Sequence, residues 1–77
     1  METFKNSAAI TLHDTDELSN YADAIYVGVG GDVKLTTVLD TTATFKNVAA
    51  GSTLYVACKL VFSTGTTATD LVALWND

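Results

Sequence analysis

The chain has 77 residues, a net charge of −5, four lysines, no arginine, one cysteine and no proline. That balance opposes nucleic-acid and anionic-membrane binding, which need basic groups against phosphates. A lone Cys58 forbids an internal disulfide, and with His13 as the only histidine a closed zinc site lacks ligands.

The length fits one β domain over residues 1–77, with an N-terminal segment 1–23 and a β core 24–77. So short a chain buries only about 60% of its unfolded surface. With 48% hydrophobic residues, part of its apolar surface is expected to meet another subunit or partner. No apolar run approaches the roughly 18 residues of a membrane span. The N-terminus Met1-Glu2-Thr3-Phe4-Lys5-Asn6-Ser7 lacks a charged-then-apolar signal peptide, so synthesis in the cytoplasm is expected.

Threonine is very abundant and valine common, and β-branched side chains favour pleated sheets over helices. Residues 8–12 read as a first strand. The acidic stretch 13–23 is irregular, with one helical turn over 16–20 capped by Asp14 or Thr15. Residues 24–38 form the strongest local pattern. Ile25, Val27 and Val29 alternate with Tyr26 and Gly28, then Val33 and Leu35 with Lys34 and Thr36, around Gly30-Gly31. Paired glycines supply the positive φ angles of a tight turn, so the pattern predicts a β-hairpin.

In residues 42–46, Ala43 and Phe45 share one face and Thr42 and Thr44 the other. A loop over 47–52 follows. Residues 54–62 read as the longest apolar strand. Leu54, Val56, Cys58, Leu60 and Phe62 lie on one face, and Tyr55, Ala57, Lys59 and Val61 on the other. A polar loop at 63–69 leads to a last strand, 70–75, with Leu71, Ala73 and Trp75 on one face. About six short strands with tight connections predict an all-β, antiparallel sandwich or barrel.

No catalytic constellation accompanies this pattern, and a non-enzymatic protein without cofactor is expected. Cys58 lies on a core-like face, where a free thiol is inert. His13 has no triad partner in reach of the reading and is expected on a solvated loop. Asp14, Asp16, Glu17 and Asp23 offer oxygens for calcium, and a calcium-assisted hydrolase is the enzyme alternative. They lack EF-hand spacing, and a solvated acidic segment or a contact with a basic partner is the simpler reading. Gly28-Val29-Gly30-Gly31 is no phosphate loop, because a strand follows it rather than a helix. Phe45 and Phe62 are expected in the core. Tyr26, Tyr55, Trp75, Phe4 and Tyr21 are the candidate interface residues, since Tyr and Trp dominate interface energetics.

Three stretches carry a family likeness: Ala24-Ile25-Tyr26-Val27-Gly28-Val29-Gly30-Gly31-Asp32-Val33-Lys34, Thr44-Phe45-Lys46-Asn47-Val48-Ala49-Ala50-Gly51, and Thr64-Gly65-Thr66-Thr67-Ala68-Thr69-Asp70-Leu71-Val72-Ala73-Leu74-Trp75. Together they resemble a family of small virion proteins of tailed phages and gene transfer agents, known in the latter as the head spike base protein. The resemblance runs over residues 8–76 and is loosest before residue 24. Family members usually carry proline where this chain has Ala49, so that turn is less rigid here. The resemblance implies a decoration, cement or spike-base protein on the capsid exterior, made in the host cytoplasm. It implies a trimer or pentamer, with the major capsid protein and a head fibre protein as partners, and no catalytic residues. The alternative function is a receptor- or carbohydrate-binding β module of a tail or head fibre.

Overall fold

The structure, a computed structural model, describes residues 3–76; Met1, Glu2 and Asp77 of the expected 1–77 domain lie outside them. Seven strands follow one another: β1 (Asn6–Ala9), β2 (Ala24–Val29), β3 (Gly31–Thr37), β4 (Thr42–Val48), β5 (Thr53–Leu54), β6 (Cys58–Val61) and β7 (Thr69–Trp75). They form two antiparallel sheets, one ordered β1-β7-β2-β5 and the other β4-β3-β6. The sheets face each other across Ile25, Val27, Leu71 and Ala73 on one side and Val33, Leu35, Cys58 and Val61 on the other, all buried. Fully burying each of the larger aliphatic side chains contributes about 1.5–3 kcal/mol. The expected all-β sandwich is the observed class.

The alternation in residues 24–38 holds at Ile25, Val27, Val33 and Leu35, but Val29 is exposed, and the hairpin does not form. β2 has β7 on one side and β5 on the other, while β3 has β4 and β6. Neither strand has an edge left for the other, so Gly30-Gly31 is a corner between sheets. Its glycines answer to crowding. A Cβ on Gly30 would stand 2.7 Å from the Val48 carbonyl oxygen, and one on Gly31 2.7 Å from the Ala68 nitrogen. Nothing larger than hydrogen fits where the chain squeezes between these two loops.

The expected strand over 54–62 is likewise divided. β5 pairs with β2 in the first sheet, and β6 pairs with β3 in the second. Residues 55–57 carry the chain across. The phase changes as well. Leu60 stands opposite Thr36 and Cys58 opposite Thr37, so Lys59 is an extra, bulged residue. Cys58 and Val61 therefore both reach the core, three positions apart, in place of the alternating set expected. The hairpin that does form joins β3 to β4. Thr37 N–H donates to the Thr41 carbonyl at 2.7 Å, and Asp40 turns with φ 67°.

The first strand starts two residues earlier than expected, and no helical turn forms over 16–20. A stronger demand prevents it. β6 is an edge strand, and the segment before β2 covers that edge. The N–H groups of His13, Leu18 and Ala22 donate to the carbonyls of Val61, Lys59 and Cys58 at 3.1, 2.8 and 2.9 Å. A helix would turn these donors inward on itself and leave the β6 carbonyls unpaired.

The Thr-rich loop after β6 serves β3 in a related way. Thr67 Oγ1 accepts from Asp32 N–H at 2.8 Å, and Thr66 Oγ1 accepts from Lys34 N–H at 3.0 Å. Threonine hydroxyls stand here where a neighbouring strand would supply carbonyls. Among the described residues, every buried side-chain nitrogen or oxygen has a hydrogen-bond partner.

Candidate functional surface

The antiparallel pairings place the starts of β1, β2, β4 and β6 and the ends of β3, β5 and β7 at one end of the sandwich. Four candidate residues, far apart in sequence, meet there. Phe4 precedes β1, Tyr21 precedes β2, Tyr55 follows β5, and Trp75 closes β7. The Phe4 and Tyr55 rings lie with centroids 6.4 Å apart. Tyr55 is 70% exposed and Tyr21 48% exposed, while Phe4 is half-buried and Trp75 is packed against the core. Tyr26 stands apart from this group. It is 40% exposed beside Thr53, with its hydroxyl toward Gly51 near the other end.

The same end carries a residue that sequence reasoning missed. Leu39, at the tip of the β3–β4 turn, is 83% exposed, and Val38 beside it is also exposed. An apolar pair inside a threonine-rich turn was the available signal. Around it runs a polar network. Tyr21 OH donates to Glu17 Oε1 at 2.6 Å, and Lys59 bridges Glu17 at 3.7 Å and Asp40 directly. These contacts tie the 13–22 segment to the β3–β4 turn, so Leu39 is presented on a braced loop. The Glu17 bond raises the Tyr21 pKa, and the Asp40 contact raises that of Lys59.

The chemical candidates do not assemble into a site. Cys58 is wholly buried, and desolvation pushes its thiol up to about 11, which suppresses the reactive thiolate. His13 is exposed, and its Nδ1 accepts from the N–H groups of Thr15 and Asp16 at 3.2 and 3.1 Å, which organises the loop. The acidic residues diverge into separate structural bonds. Asp14 accepts from Thr64 N–H and Oγ1, both at 2.8 Å, and the Thr64 backbone bond is the main cause of its lowered pKa. Asp16 faces His13 at 3.5 Å, Glu17 holds Tyr21 and Lys59, and Asp23 accepts from Asn76 N–H at 3.3 Å. Among the described residues, no three such side chains converge on a point where a cation would sit.

Fold and surface together define a small two-sheet β protein with aromatic and aliphatic side chains exposed at one end and, among the described residues, no convergent cluster of metal-ligating side chains. No protein-family model and no curated protein matches the chain. Among solved structures, it is similar to a chain of the capsid of a native gene transfer agent particle, computed with C5 symmetry. The TM-score is 0.85 and the identity 33%, over 94% of this chain and 83% of that one. The chain belongs to the same family as that capsid-particle chain.

Proposed function

We propose that this chain is a capsid-associated structural protein, a single β domain that decorates the capsid exterior as a cement or spike-base subunit. The observation that carries this reading is the 33% identity and 0.85 TM-score to a chain of a gene transfer agent capsid. The exposed end supports it. Leu39, Val38, Tyr21 and Tyr55 form an apolar surface of the kind that marks protein contacts. Phe4 sets its ring against Tyr55, Trp75 packs against the core, and Tyr26 offers a separate contact on the flank of the first sheet. The partners proposed are further copies of this chain, in a trimer or pentamer, the major capsid protein, and a head fibre protein. Reactivity plays no part in such a role, in keeping with the buried Cys58 and the dispersed carboxylates.

An electron-microscopy map of the assembled particle tests the proposal. Density for this fold on the outer shell at the five-fold vertices supports a spike base, and density at three-fold axes supports a cement role. Particles that contain the chain nowhere on the shell refute both.

A further inference from the structure

We propose that the free edge of β1 binds an extended segment of a partner protein and that the groove beside it takes a lysine or arginine side chain from that segment. Two independent features lead there. The first is the edge itself. β1 is the outermost strand of its sheet and, among the described residues, pairs with β7 alone. Ile10 N–H donates to the Leu71 carbonyl at 2.9 Å, and the register sets Ala9 opposite Val72. Antiparallel alternation then turns the backbone N–H and C=O of Ser7 and Ala9 away from β7. β1 carries no charge and no proline, the usual devices that blunt an edge. The edge of β6, by contrast, is covered by the chain's own 13–22 segment.

The second feature is the groove of about 260 Å³ that runs between β1 and residues 16–20. Its apolar lining includes Ala8, Ala73, Ile10, Leu18 and Trp75, and His13, Asp16 and Glu17 line it too. Ala8 and Ala73 face each other across paired strands, and their small side chains leave the space open. Drug-sized ligands take pockets of about 300–1,000 Å³, so this one suits a single long side chain. Trp75 and the aliphatic wall fit the stem of a lysine or arginine, and Asp16, exposed beside His13, meets its cation, while Glu17 is held by Tyr21 and Lys59. The local charge argues against a second copy of this chain as the occupant, because Asp16 and Glu17 of one copy would meet Asp16 and Glu17 of the other. A partner strand with a basic residue is complementary to both features at once, in the manner of β-strand addition.

The isolated chain suffices for the test, so its outcome is independent of the capsid reading. Two short blocked peptides of alternating threonine and valine serve as probes, one with a central lysine and one with a central glutamate. Trp75 is the only tryptophan, so its emission reports the groove, and the amide resonances of Ser7 and Ala9 report the edge. The lysine peptide is expected to perturb both and to bind about tenfold tighter than the glutamate peptide. Asp16→Lys, at an exposed position, is expected to reverse that preference. Ser7→Pro, which removes an outward donor, is expected to abolish binding at an unchanged melting temperature. Equal binding of the two peptides, no change at Trp75 with either, or a preference untouched by Asp16→Lys overturns the proposal.

Discussion

Leu39 gives the sharpest separation of folding from docking. At 83% exposure it contributes little to the core, so Leu39→Ala is expected to change folding stability by no more than about 0.5 kcal/mol. If the exposed end is a contact with the capsid, the same side chain becomes buried there. Burying a leucine is worth about 1.5–3 kcal/mol, and a loss of about 2 kcal/mol weakens affinity about 30-fold. Leu39→Asp is expected to do more, because it brings a carboxylate into an apolar contact beside Asp40. The assay is co-sedimentation of purified variants with particles assembled without this protein, next to thermal melts followed by circular dichroism. Both variants binding like the parent chain, with melting unchanged, would refute the assignment of this end as the docking surface.

Gly30→Ala puts a methyl 2.7 Å from the Val48 carbonyl, and overpacking against backbone is expected to cost about 1–3 kcal/mol, read as a lowered urea midpoint. Cys58 is expected to resist thiol reagents in the native protein and to react along the unfolding curve; rapid labelling without denaturant would contradict its burial. The Asp14–Thr64 link has a defined pH signature. Its folded pKa is depressed below the ordinary 3.8, so its stabilisation is full above that value and is lost as pH falls through the folded pKa. Asp14→Asn is therefore expected to flatten the acid limb of the stability curve and to leave the neutral region less stable than the parent. The Lys59 contact runs the opposite way. Its raised pKa keeps the contact with Asp40 intact below the ordinary 10.5, and the contact is lost as pH rises through the folded value, visible as an alkaline drop in melting temperature that Asp40→Asn removes.

The sequence by itself determined the class and part of the burial, while Phe62, expected in the core, stays half-buried beneath Lys34. β-branched composition and period-two alternation are local properties, and they correctly place Ile25, Val27, Val33, Leu35 and Cys58 in the interior. Only the tertiary structure decided which strands pair. A glycine pair between alternating runs reads the same whether the chain folds back on its neighbour or turns a corner into a second sheet; occupancy of both flanks of β2 and β3 chose the corner. The bulge at Lys59 likewise depends on the partner strand, so alternation alone misplaced Leu60 and Val61. Phe4, Tyr21, Tyr55 and Trp75 were legible as separate aromatics. Their placement at one end, with Leu39 exposed at the same end, and the groove beside β1 arise from long-range pairings that no local pattern encodes.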